Sequence, residues 1–442
     1  MLTRTGRNGL PTSSLVLSSE SESRSSRTMH PSFDIDSIRR QFPALDRIQD
    51  GRPVVYFDGP GGSQVPQRVA DAVSRYLVET NANHGGPFAT SRESDLLLDE
   101  AHQTAADFLG TADPGEIVFG ANMTTITLAL SRALGRTWQA GDEILVSRLD
   151  HDGNVTPWVL AADDAAVVTQ HVNVRPEDCT LDMDDFRAKL SDRTRLVAVG
   201  LASNVSGTIN PLAEIVAAAH AVGALVFVDA VHFAPHGLID VQQLGCDFLA
   251  CSAYKFFGPH VGILWGRRQL LESLTAYKLR PATDDLPGKW MTGTQNHEGI
   301  AGVKAAIDYL ADLGRSTDPG ATRRDALKTA FQEIGNHERQ LCDRLLRRLA
   351  QFPDIKIHGI TDIARFSERV PTVSFTHSRL SPHQIADRLA SRGIFVWAGN
   401  HYALPLTESL GLEPDGTLRI GLMHYNTAEE IDRLLAELAN LP

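Results

Sequence analysis

Short β-rich runs at 54–57, 117–119, 144–146, 196–199, 225–228 and 248–250 alternate with helical patterns at 69–77, 96–109, 124–134 and 212–222, which leaves few folds open. Several of the runs are apolar throughout, as strands must be when helices cover both faces of a mainly parallel sheet. Strand, helix, strand repetition over this length predicts an α/β fold with a large, doubly wound, mainly parallel sheet domain. In such a sheet ligands gather beyond the carboxyl ends of the strands, where the loops converge.

Past residue 299 the texture changes. Long helical patterns at 300–313 and 323–352 are followed by shorter segments at 370–375, 382–391, 394–397 and 418–421, and by a helix at 427–441. That last helix opens with Thr427-Ala-Glu-Glu430, the spacing of a capping box in which the hydroxyl and carboxylate satisfy free amides. The expected organisation is a disordered tail at 1–28, an N-terminal segment at 29–65 packing with the smaller domain, a large domain at 66–299 and a smaller C-terminal α+β domain at 300–442. The tail assignment rests on Ser-rich composition. Its apolar run, Leu15 to Leu17, is far shorter than the ~7–15 residues a secretory signal needs.

The chain has 442 residues, 42% of them hydrophobic and 22% charged, which is globular material. A net charge of −12 argues against nucleic acid as a partner, since coating phosphates takes an excess of Lys and Arg. No run of about 18 apolar residues is present, so no membrane-spanning helix is expected. The four cysteines, Cys179, Cys246, Cys251 and Cys342, have neither zinc-ligand nor disulfide-framework spacing, and a reducing cytoplasmic setting is expected.

One segment carries chemistry: Cys251-Ser-Ala-Tyr-Lys-Phe-Phe-Gly-Pro-His260, directly after the apolar run at 248–250. Lys255 falls just past a strand end among apolar neighbours that disfavour its charged form, as a Schiff-base lysine requires. Upstream, the run at 225–228 ends in Asp229-Ala-Val-His232. A carboxylate at a buried strand end near that lysine is what a pyridinium nitrogen needs to stay protonated, and taken alone it is equally a helix N-cap. Together the two residues point to pyridoxal phosphate. The turn Gly120-Ala-Asn-Met-Thr124, from strand to helix, aims free amides at one spot and suits a phosphate, although most such turns bind only water.

With these residues in order, the chain resembles the class V aminotransferase family of fold-type I pyridoxal phosphate enzymes, from about Tyr56 to the C-terminus, and within it the cysteine desulfurases. The resemblance implies that Lys255 forms the Schiff base with the cofactor, Asp229 pairs with the pyridine nitrogen and His151 stacks on the ring. It implies that Asn204 and His232 lie by the ring oxygen, His232 replacing the family's glutamine. Asn122, Met123, Ser252 and Tyr254 would hold the phosphate, Tyr254 standing where the family has histidine. Thr294, in Gly293-Thr-Gln-Asn296, would reach across a homodimer to the partner's phosphate. Arg419, in Leu418-Arg-Ile-Gly-Leu-Met-His-Tyr-Asn426, would clamp the carboxylate of a small amino-acid substrate.

The resemblance breaks in Gly393-Ile-Phe-Val-Trp-Ala-Gly-Asn-His-Tyr-Ala-Leu-Pro405. The family reads Gly-His-His-Cys-Ala-Met-Pro there, so Tyr402 occupies the position of the nucleophilic cysteine, Trp397 that of an arginine and Asn400 that of a histidine. A phenol titrating near about 10 carries no sulfur, whereas a thiol near about 8.5 does. The sequence resembles a desulfurase-like subgroup lacking that cysteine. The expected reaction is removal of the α-proton by Lys255 and β-elimination from a cysteine derivative, a C–S lyase reaction. Tyr402 or His401 then serves as general acid or shapes the pocket wall, and Trp397 and Asn400 face the substrate. Transamination and epimerisation share the proton removal and are the alternatives. A metal-dependent hydrolase built on Asp150-His-Asp152 and His84 is a third reading, disfavoured because no HExxH stands in the chain.

Overall fold

The computed structural model describes residues 33–441, so the expected tail at 1–28 lies outside the described residues. Seven strands form the large sheet: β1 (Ile117–Gly120), β2 (Glu143–Ser147), β3 (Val168–Val172), β4 (Thr194–Gly200), β5 (Leu225–Asp229), β6 (Phe248–Ser252) and β7 (Gly262–Gly266). Their spatial order is β1-β7-β6-β5-β4-β2-β3, parallel from β6 to β3. β7 runs antiparallel to both its neighbours.

Every residue of β2, β6 and β7 is buried, which is why these segments carry so little polar alternation. Alternate residues feed two cores, one on each face. Phe119, Leu145, Val197, Val228 and Leu249 enter one, whereas Val118, Val146, Ala198, Phe227 and Ala250 enter the other. The sequence missed β3, whose Val-Thr-Gln-His-Val runs along the outer edge and is mostly half-exposed, and β7, a short apolar run between two glycines.

The run at 54–57, which the sequence places in the 29–65 segment, does not join the large sheet. Val55–Tyr56 pairs in parallel with Ile394–Phe395. Val54 and Tyr56 point into the large core and Val55 and Phe57 into a C-terminal core. A strand wedged between two cores is apolar on both sides, so composition cannot tell it from a strand of a parallel sheet.

A second, antiparallel sheet comprises β8 (Ile355–His358), β9 (Thr372–His377), β10 (Trp397–Gly399) and β11 (Thr417–Gly421), ordered β8-β9-β11-β10. The closing helix, Ala428–Ala439, begins with the expected capping box between Thr427 and Glu430. The helix Arg323–Leu349 runs between the cores: Leu327, Phe331 and Ile334 pack on the large one, Leu341, Leu345 and Leu349 on the other. Asn426 ties the ends of the fold, its Nδ2 donating to the Tyr56 carbonyl at 3.0 Å and to Glu430 at 2.9 Å.

The last residue of β11 meets the N-terminal segment without room for a side chain. A Cβ on Gly421 would stand 1.8 Å from Pro60 Cδ, while the Gly421 amide donates to the Phe57 carbonyl at 2.8 Å. Gly421→Ala should therefore lower stability by about 1–3 kcal/mol, read as a lower urea midpoint at unchanged slope.

Candidate active site

Loops at the carboxyl ends of β4, β5 and β6 converge on a cavity of about 330 Å³. Its lining includes Asn122, Met123, His151, Asn204, Asp229, His232, Ser252, Tyr254 and Lys255, the expected cofactor-binding residues other than Thr294. They come from separate stretches of chain, and the sheet order assembles them: β5 and β6 are neighbours, so Asp229 and Ser252 end side by side.

Lys255 ends the short turn Ala253–Lys255 after β6. Its Nζ donates to the Pro60 carbonyl and lies 4.7 Å from the centre of the Tyr254 ring. Burial and the nearby Arg419 guanidinium lower its pKa to about 7, against the pull of Asp229 in the other direction. An amine so placed is substantially neutral, and hence nucleophilic and basic, near pH 7.

Asp229, the last residue of β5, accepts from the Val231 amide at 2.8 Å. Burial raises its carboxyl to about 6. Asp150 is raised to about 7 by burial and by Asp229, even though it accepts from the Gly200 amide at 2.8 Å and Asn154 Nδ2 at 3.2 Å. A protonated ring nitrogen is the kind of partner that holds such a buried carboxylate ionised.

His151 is neutral at ordinary pH, pushed down to about 4 by burial and by Lys255 and Arg419. The Gly153 amide donates to its Nδ1 at 2.9 Å, so the remaining proton sits on Nε2. His232 is likewise held neutral by burial, its Nε2 hydrogen-bonded to Thr372 Oγ1 at 2.9 Å. Asn204 Nδ2 donates to the His401 carbonyl at 2.8 Å, which leaves Oδ1 buried and unpartnered.

At the far end of the cavity stands the helix Met123–Gly135. Asn122 caps it by accepting from the Thr125 amide at 2.9 Å, and the Met123 amide donates to Ser252 Oγ at 3.0 Å. The Tyr254 ring stacks on His260 with centroids 4.9 Å apart. Residues suited to an aldehyde, a pyridine nitrogen, a ring face and a phosphate thus line a single cavity, and with the orphaned Asn204 oxygen they fit pyridoxal phosphate.

Arg419, in β11, borders this group fully buried. Its Nη1 donates to the Asn204 carbonyl at 2.8 Å and its Nε has no partner. Burial lowers it to about 9, and Asp58, itself raised to about 6 by burial, opposes that shift. Asp58 and Pro60, in the loop Asp58-Gly-Pro-Gly-Gly-Ser63, were not among the expected site residues. That loop is pinned over Lys255: the Ser63 amide donates to the Tyr254 carbonyl at 3.0 Å and Ser63 Oγ accepts from the Phe257 amide at 2.7 Å. The dipeptide Asp58-Gly59 beside an apolar strand was the available signal.

Several expected site residues do not line the cavity. Thr294 is exposed and lines a different hollow with Val118, Thr125 and Trp290. Trp397 is 51% exposed and covers Gly61, where a Cβ would meet its Nε1 at 2.3 Å. Asn400 spends its Oδ1 on the Tyr402 amide at 3.1 Å. The His401 ring is turned to β11, Nε2 lying 3.2 Å from the Thr417 carbonyl, and burial lowers its pKa strongly. Of the residues considered for a metal, Asp152 accepts from Thr156 Oγ1 at 2.9 Å and His84 stands by Asp95 at 3.9 Å. Among the described residues no three His, Cys, Asp or Glu side chains are grouped to hold a metal ion.

Residues 55–434 match the family model described as aminotransferase class-V. An aminotransferase-like protein of Gibberella zeae is 35% identical, the match covering 92% of this chain and 98% of that protein. A cysteine desulfurase of Pectobacterium carotovorum subsp. carotovorum is 32% identical over 93% of this chain and 98% of its own length. Among solved structures, an apo cysteine desulfurase from Thermococcus onnurineus NA1 superposes with a TM-score of 0.80 at 26% identity, covering 91% of this chain and 96% of that one. An Escherichia coli cysteine desulfurase in its S-sulfonic acid form gives 0.78 at 27% identity, covering 92% and 98%.

The two charges beside Lys255 act on it with opposite sign, which makes its setting testable in the cofactor-free protein. The pH midpoint for acylation of Lys255, followed by mass spectrometry, should lie near about 7. Arg419→Met should raise it by removing a cation, and Asp229→Asn should lower it by removing an anion.

Proposed function

The chain belongs to the class V aminotransferase family, and from that premise we propose that it is a C–S lyase, eliminating the β-substituent of a cysteine derivative without a persulfide cysteine of its own. It is a pyridoxal-phosphate-dependent enzyme related to cysteine desulfurases. When bound, the cofactor supplies an electron-withdrawing ring that accepts the pair left at Cα. Lys255 would anchor it, Asp229 would hold its ring nitrogen protonated, and the amides at Asn122 and Met123 with Ser252 and Tyr254 would receive its phosphate.

The side chains divide the remaining work. Arg419 has a buried, unpartnered Nε with which to bind the substrate carboxylate and so orient Cα. Lys255 Nζ, half neutral near pH 7, takes the α-proton. The C–S bond then breaks, the sulfur leaves with the bonding pair and takes a proton, and hydrolysis gives a keto acid and ammonia. The observation that carries the reading is that Lys255, Asp229 and His151 line one cavity and none of the four cysteines does. All four thiols are free and buried, and burial raises that of Cys251, which sits nearest in sequence to Lys255. Sulfur released here has no thiolate to receive it.

Exposed Thr294, away from its own chain's cavity, supports a homodimer in which it serves the partner, and free thiols suit a reducing, cytoplasmic compartment. Incubated with cysteine and S-substituted cysteines, the holoenzyme should release keto acid with sulfide or thiol in equal amounts. Lys255→Ala should abolish this and the borohydride-fixed label at position 255. Keto acid without sulfur release would mean transamination instead, and deuterium uptake at Cα without net turnover would mean epimerisation.

A further inference from the structure

The turn carrying His401 and Tyr402 is strained and tightly held. Both residues have left-handed backbone, at φ +57° and +59°, a region that side chains with a Cβ rarely occupy. The carbonyls of both residues are nevertheless engaged. Asn204 Nδ2 donates to that of His401 at 2.8 Å and the Asp152 amide to that of Tyr402 at 2.6 Å. The His401 ring is bonded to Thr417, and Asn400 accepts from the Tyr402 amide at 3.1 Å.

What this arrangement secures is the Tyr402 ring. It stacks on His151, centroids 5.5 Å apart and planes 22° from parallel. His151 lines the cavity, whereas Tyr402 is not among its lining residues. The phenol is 74% exposed. Backbone strain retained against this much exposure, and spent on holding one ring to another, is a signature of a functional constraint.

The geometry points to Tyr402 as a positioning residue that acts through His151: its ring stacks on the imidazole and fixes its plane, and its hydroxyl takes no part in proton transfer. His401 serves the same end by holding the turn. The inference rests on the reading of His151 as the residue at the cofactor face, and it decides between the two roles open to Tyr402 from sequence.

Two variants of the cofactor-loaded full chain separate the possibilities. Tyr402→Phe keeps the stack and removes the hydroxyl. Tyr402→Gly removes the stack and also relieves the left-handed backbone, so it should melt no lower than the parent protein. Histidine-labelled NMR, with the His151 signals identified by their loss in His151→Gln, should show His151 neutral and protonated on Nε2 at neutral pH in the parent and in Tyr402→Phe. In Tyr402→Gly its titration should move upward as water reaches the ring. On the best amino-acid substrate kcat should fall about tenfold or more in Tyr402→Gly with KM little changed, and Tyr402→Phe should restore it. Equal loss in both variants would make the hydroxyl the active group and overturn the proposal, as would a His151 spectrum unmoved by Tyr402→Gly. If no amino acid is turned over by the parent enzyme, the lyase reading fails and the histidine spectrum alone still decides the role of Tyr402.

Discussion

Everything in the site depends on withdrawing one lysine amine from water. Lys255 stands between an apolar strand end and a loop that lays the Pro60 carbonyl on it, with the Arg419 guanidinium on one side and the Asp229 carboxylate on the other. Burial alone would neutralise the amine permanently; a carboxylate alone would keep it charged. The opposed charges leave it balanced near neutrality, where one group can both bond to an aldehyde and accept a proton.

Holding that balance requires the two cores to stay in register. Asp229 and Lys255 come from the large sheet, Arg419 from the C-terminal one, and Asp58 and Pro60 from the segment between them. The Gly421–Pro60 contact, the Val55–Tyr56 pairing with Ile394–Phe395 and the Asn426 hydrogen bonds are therefore as much a part of the site as its lining. A shift between β11 and the 54–64 segment would change which charges the lysine feels before it changed any cofactor contact.

The loop at 400–402 is held just as closely. It has a phenol stacked on His151 and a histidine turned to Thr417, both in left-handed backbone, their carbonyls accepting from the Asp152 amide and from Asn204 Nδ2. This loop carries no sulfur.

Much of this was written locally. Buried strands flanked by amphipathic helices announce a doubly wound sheet because a strand covered on both faces has no use for polar side chains, and Lys255 and Asp229 announce themselves because they interrupt such strands at their ends. The Thr427 capping box was legible for the same reason, since its partners are three residues apart. Other features depended on distant neighbours. The run at 54–57 reads only as an apolar strand, and its packing decides that its two faces belong to different cores. The outward turn of His401, the stacking of Tyr402 and the unpartnered Asn204 oxygen follow from hydrogen bonds between segments far apart in the chain. Sequence determined which chemical groups this protein owns and the sheet that carries them. Tertiary structure alone decided which of them share a dehydrated cavity, because solvation and electric field at a side chain are set by whatever packs around it, whatever its place along the chain.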